Sequence, residues 1–217
     1  VNATDPSGSG LYTRRWYNFT TLSDNTPPTT TIYFAGTVGE NSWFISPVTI
    51  TLTATDDMTG VDYTMYKLDS GSWNMYSNPF TVSNDTVHTI EYYSVDNMGN
   101  TEPAKSANFK IDQMPPMTTH TFSGNVGKNG WYLNGNILLN PVDNTSGVSH
   151  TYYKIDSGAW AEYTVPVVFS SDGIHTFEYY SVDNAGNEEP VKGPITFKLD
   201  STPPEITLTK LQIDLFT

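Results

Sequence analysis

The fold class this sequence predicts is all-β: tandem β-sandwiches set in line as an extended rod. Three observations predict it. A long segment recurs at fixed spacing, each copy carries the two-residue alternation of half-buried strands, and Pro pairs punctuate the copies. Residues 91–97 read Glu-Tyr-Tyr-Ser-Val-Asp-Asn, and residues 178–184 read the same, 87 positions on. The same step carries Lys67 to Lys154, Trp73 to Trp160, His88 to His175 and Gly60-Val61 to Gly147-Val148. The pair Pro27-Pro28 recurs at Pro115-Pro116 and again at Pro203-Pro204, each 88 positions on, so one residue is lost between Trp131 and Ile137.

Two full repeats follow, 27–113 and 114–200. Residues 1–26 read as the terminal hairpin of a preceding β-sandwich plus a linker. Residues 201–217 read as the first strand of a further repeat, or as an assembly strand. The chain starts at Val1, and its ends read as cut from a longer precursor.

Within a repeat the strands come in order. In Val48-Thr49-Ile50-Thr51-Leu52-Thr53-Ala54 the apolar side chains alternate with Thr, the pattern of a strand with one buried face. In Thr89-Ile90-Glu91-Tyr92 and Thr176-Phe177-Glu178-Tyr179 the apolar residues face in and the glutamates out. Asp69-Ser70-Gly71-Ser72 and Asp156-Ser157-Gly158-Ala159 read as hairpin turns, with Gly expected to supply the positive φ. Asp96-Asn97-Met98-Gly99-Asn100 and Asp183-Asn184-Ala185-Gly186-Asn187 turn the next hairpin. About seven short strands in such a length describe an Ig-like or fibronectin-like sandwich. The Pro pairs stiffen the linkers, because Pro lacks an amide donor and holds its predecessor extended.

Composition narrows the function. Net charge is −13, and Arg14-Arg15 is the one basic pair, so a nucleic-acid role is not expected. There is no cysteine, which removes disulfides and thiolate metal sites. No apolar run approaches the ~20 residues that cross a bilayer. Neither a Gly-x-Ser-x-Gly elbow nor a phosphate-cradling Gly loop is present. Asp56-Asp57, as neighbours at a strand end, point apart and do not make a glycosidase pair.

Carboxylates cluster where a sandwich of this kind brings its loops and entering linker to one end. Repeat 1 places Asp24, Asp56, Asp57, Asp96, Asn97 and Asn100 there; repeat 2 places Asp112, Asp143, Asn144, Asp183, Asn184 and Asn187. Hard oxygen ligands in that number are what Ca²⁺ takes, and an ion at a junction would lock two domains. The competing reading is that Asp and Asn bond nearby loop amides. His88 and His175 read as packed residues. Trp43, Trp73, Trp131 and Trp160 read as core or hairpin packing, with sugar stacking as the alternative if Trp73 and Trp160 prove exposed and coplanar. Asn2, Asn18, Asn84 and Asn144 open glycosylation sequons.

Pro-Pro-Thr-Thr-Thr, Asn41-Ser42-Trp43, Thr53-Ala54-Thr55-Asp56-Asp57, Gly60-Val61, Tyr66-Lys67-Leu68-Asp69, Trp73 and Asp96-Asn97-Met98-Gly99-Asn100 together resemble a prokaryotic Ig-like repeat. That family forms arrays on bacterial and archaeal surface proteins, some of outer-membrane-protein type. The N-terminal hairpin, ending Asn18-Phe19-Thr20-Thr21, is similar to the close of a fibronectin type III domain. The resemblance implies an extracellular or cell-surface setting and carries over no catalytic residue. Arrays of this family serve as stalks, adhesins, surface-layer parts and enzyme spacers, and the leading expectation is a non-enzymatic stalk, surface-layer or filament component. Its partners are expected to be flanking domains or, because 1–22 and 201–217 would leave strands unpaired, neighbouring copies head to tail. The alternative is an adhesin, or a carbohydrate-binding array of a secreted enzyme, with surface glycans as partners. Pro141 departs from the pattern by standing at the Ala54 position, which is expected to weaken the end of that strand.

Overall fold

A computed structural model describes residues 23–207. Repeat 1 holds β1 (Thr29–Ala35), β2 (Trp43–Phe44), β3 (Val48–Thr55), β4 (Val61–Leu68), β5 (Asn74–Met75), β6 (Phe80–Val82), β7 (Thr86–Asp96) and β8 (Lys105–Ile111). Repeat 2 holds β9 (Met117–Ser123), β10 (Asn136–Val142), β11 (Val148–Ile155), β12 (Ala161–Glu162), β13 (Val167–Val168), β14 (Gly173–Asp183) and β15 (Lys192–Leu199). No strand falls in 23–28 or 200–207. The expected hairpin in 1–22 and the tail from 208 lie outside the described residues.

Each repeat is two sheets face to face. In repeat 1 the order is β1-β3-β6 on one side and β2-β8-β7-β4-β5 on the other; in repeat 2 it is β13-β10-β9 against β12-β11-β14-β15. The short β5 pairs with β4 rather than crossing to the smaller sheet, which separates this arrangement from the constant-type Ig division. Alternation decides the faces. Val48, Ile50 and Leu52 of β3 are buried against Ile90, Tyr92, Phe109 and Ile111 of the larger sheet. In repeat 2 the equivalent core is Ile137, Leu139, Phe177, Tyr179, Phe197 and Leu199, joined by Val167 and Phe169.

Two local expectations are corrected. The positive φ of the β4–β5 turn lies on Asp69 (53°) and, in repeat 2, on Asp156 (52°), not on Gly71 or Gly158. Asp tolerates that region, and here its carboxylate has a further reason to sit there. Asp69 Oδ1 accepts from the Thr89 amide and Oδ2 from the His88 ring, which ties the turn to β7. Pro141 does not shorten its strand either, for β10 runs on to Val142. Pro141 stands opposite Thr118. Thr118 gives its amide to Glu189 and takes Lys192 Nζ on its carbonyl. The pair therefore carries no ladder bond, and a residue without an N–H costs none.

Candidate functional site

The linker and two loops meet at one end of each repeat. In repeat 1, Asp24 is buried, and its Oδ2 accepts from the Thr59 hydroxyl (2.6 Å) and amide (3.1 Å) while Oδ1 accepts from the Thr26 amide. These bonds, the Thr59 hydroxyl first, hold its pKa below the usual carboxylate value. Asp56 Oδ2 accepts three amides in succession, from Met58, Thr59 and Gly60. Its Oδ1 is out of solvent and has no hydrogen-bond partner among the described residues. Carboxylate oxygens of Asp24, Asp56 and Asp57 lie within 4.8 Å of one another, beside a depression of about 240 Å³ lined by Asp56, Asp57 and linker residues.

Asp96 stands apart from that trio. Its Oδ1 caps the Met98 and Asn100 amides, and its Oδ2 takes the Asn100 side-chain N–H. Asn97 and Asn100 turn their amide nitrogens to carbonyls, Asn97 to Thr59 and Gly60 and Asn100 to Asp24. In repeat 2 the trio is Asp112, Asp143 and Asp183, again within 4.8 Å. Asn184 and Asn187 tie the same carbonyls as their counterparts do. The loop-capping use of these groups and the clustering of three carboxylates are both present.

Asp112 differs from Asp24 in one respect: repeat 1 lies behind it. It is fully buried, and burial pushes its pKa up, with the charge of Asp143 adding to the effect and bonds from Ser146 and Met114 opposing it. The residue touches both repeats. Its amide donates to the Phe44 carbonyl of repeat 1 (2.9 Å). Its Oδ2 accepts from the Ser146 amide (3.0 Å) and its carbonyl from Asn187 (3.0 Å), both in repeat 2. The next linker residue, Gln113, donates to Asp85 and to the Ser83 carbonyl of repeat 1. Alongside, the Glu40 amide donates to the Ala185 carbonyl (2.7 Å) and Asn41 Nδ2 to the Asn184 carbonyl (2.9 Å). Gly39 makes that approach possible, since a Cβ there would meet the Ala185 oxygen at 2.2 Å.

The remaining residues singled out by sequence fall as follows. His88 is buried, stacked on Phe109 and bonded to Asp69 and to the Asn84 carbonyl. His175, half-buried, makes the corresponding bonds to Asp156 and to the Ser171 carbonyl. Trp43 is buried. Trp73 and Trp160 are 37% and 39% exposed. Each stands edge-on to a tyrosine, Tyr93 at 73° and Tyr180 at 84°, and carries a lysine, Lys67 or Lys154, over its ring. Those lysines pair with Glu91 and Glu178. Asn84 and Asn144 are exposed and outside any strand, while Asn2 and Asn18 lie outside the described residues.

One constellation escaped sequence reasoning. Glu102, buried, accepts from the Thr30 amide and hydroxyl and from the Ser94 amide, and pairs with Lys105 at 2.8 Å. Lys105 also reaches the Thr30 carbonyl. Glu189, Lys192, Thr118 and Ser181 stand in the equivalent places. The recurrence of Glu102 and Lys105 at the repeat spacing was the available signal. Among the described residues no helix is long and apolar enough to cross a membrane.

No protein-family model matches the chain, and no curated protein matches it. Among solved structures, the fibronectin(III)-like modules of Clostridium thermocellum CbhA align with a TM-score of 0.35 and 12% identity, over 78% of this chain and 93% of that one.

Proposed function

We propose that this chain is a non-enzymatic, extracellular structural segment, a stalk, surface-layer or filament component whose work is to hold its repeats in line. The observation that carries this reading is the linker. Asp112 is hydrogen-bonded into both repeats, Gln113 is tied back to repeat 1, and the loop at 39–41 meets the loop at 184–186. A connection held on both sides resists bending in a way that Pro-Pro stiffness alone does not. An extracellular setting rests on the resemblance of the repeats, and the exposed sequons at Asn84 and Asn144 accord with it.

Calcium belongs to the same proposal. Three clustered carboxylates at each acidic end, one with a buried oxygen lacking a partner, supply the hard donors that Ca²⁺ takes. The second reading, a carbohydrate-binding array, draws on the exposure of Trp73 and Trp160. Their lysine-covered faces and perpendicular tyrosine neighbours favour packing over a flat sugar platform. Small-angle X-ray scattering of the full chain tests the leading reading. It is expected to give an elongated particle that fits one fixed arrangement of the two repeats. A profile requiring a freely varying hinge at 112–116 would refute it.

A further inference from the structure

The junction between the repeats has two halves, and each half occurs a second time. One half is a tight turn, with Gly39 at φ −97°, ψ −145° and Asn41 left-handed (φ 49°, ψ 33°). Repeat 2 builds the same turn, with Gly127 extended, Asn129 at φ 54°, ψ 32°, and the Gly127 amide on the Trp131 carbonyl at 2.7 Å, as Gly39 is on Trp43 at 2.8 Å. The other half is the loop 184–186, which offers the Asn184 and Ala185 carbonyls and has Gly186 at φ 91°. Repeat 1 builds that too, with Gly99 at φ 88° and the Asn97 amide on the Gly60 carbonyl, as Asn184 is on Gly147.

Where the halves meet they are covered. Ala185 is fully buried, Ile45 is half-buried, and a Cβ on Gly186 would meet Glu40 Cγ at 3.0 Å. Among the described residues the second pair is open. Met98, at the place of Ala185, is 61% exposed; Leu133, at the place of Ile45, is 52% exposed; no described residue comes within 4 Å of a Cβ on Gly99. Charge also distinguishes the pairs. The tip of the turn is Glu40 in repeat 1 but Lys128 in repeat 2, while the loop at 97–99 is bonded through Asn97 to the Thr59 carbonyl and through the next residue, Asn100, to the Asp24 carbonyl, at the end that carries the Asp24, Asp56 and Asp57 carboxylates. A lysine brought to that acidic end gains attraction where a glutamate would lose it.

We propose that these open halves join two copies of this chain head to tail, the turn at 127–129 of one copy seating on the loop at 97–99 of the next as 39–41 seats on 184–186 within each copy. The inference rests on the structural reading above and names its partner and its surfaces. Met98, longer than Ala185 and unbranched, reaches beyond the space that Ala185 fills and lies against Leu133 and the Lys128 stem. The contact is heterologous, so repeated without closure it extends as a filament.

The chain has no cysteine, which makes directed cross-linking a clean test. Met98→Cys and Lys128→Cys variants of this chain, both at exposed positions, are mixed under oxidising conditions. The proposal expects a mixed dimer several-fold more abundant than either variant's own dimer, and a ladder of higher species from the double variant. Glu40→Cys with Ala185→Cys in one chain serves as the reference for a seated junction, with circular dichroism to confirm folding. If that internal pair closes while the mixed dimer stays no more abundant than the two self-dimers, head-to-tail seating is overturned. Scattering that still fits one fixed arrangement would leave the structural reading standing in that case, and a hinged profile would remove both.

Discussion

Glu102 shows how a single polar residue can hold a sandwich of this kind. It sits between the sheets, where an unpaired carboxylate would be costly, and it is kept there by the Thr30 and Ser94 amides and by Lys105. Burial works to raise its pKa, but the bonds from Lys105 and Thr30 bring it below its ordinary value of 4.5. Because the folded value is the lower one, the stabilisation is present above the unfolded pKa and is lost as pH falls through the folded one. Glu102→Ala leaves two buried amides without acceptors and is expected to cost about 2–5 kcal/mol in urea unfolding at neutral pH. Glu102→Gln, which keeps one carbonyl oxygen, should cost clearly less. The gap between wild type and Glu102→Ala should narrow below about pH 4; a gap independent of pH would show that the charged form is not what matters.

At the scale of the strand, alternation explains most of the architecture. Val48, Ile50 and Leu52 face the core and the intervening threonines do not. Leu52→Ala should cost about 2–5 kcal/mol, and Thr51→Ala well under half as much by the same urea titration; equal losses would mean that the faces of β3 are assigned wrongly. These faces were legible in sequence because a two-residue period is a local property. The capping carboxylates were legible for a similar reason, since Asp56 and Asp96 bond amides two to four residues on. The left-handed residue of the β4–β5 turn was not. Local rules assign it to Gly71, whereas Asp69 takes it because its carboxylate is held by β7, some twenty positions away in the chain. Pro141 reads as a strand breaker until the register shows it opposite a residue whose backbone groups are already engaged elsewhere. Glu102 and Lys105 carry no local signature of burial at all. Nor does the contact of Glu40 with Ala185, in which two backbone groups 145 positions apart in the chain meet.

For the whole molecule the question is how two sandwiches keep one arrangement. Calcium is expected to add to what the linker does. With chelator replaced by millimolar Ca²⁺, the melting temperature of the full chain should rise by several degrees, since an ion that binds only the folded state stabilises it by mass action. Asp56→Asn combined with Asp143→Asn should remove most of that rise, and an unchanged melting curve in the wild type would sink the calcium proposal. The central claim, that the junction is rigid, is tested most directly by the distribution of distances between spin labels on Ser72→Cys and Ser157→Cys, one exposed site in each repeat. Gly39→Ala is the matched control, because the added Cβ would meet the Ala185 oxygen at 2.2 Å and Ile45 Cγ2 at 2.6 Å, and neither residue belongs to the hydrophobic cluster of either repeat. A rigid junction predicts one narrow distance peak in the parent chain and a broad distribution once Gly39→Ala is introduced. A parent distribution already as broad as that of the Gly39→Ala chain would contradict it.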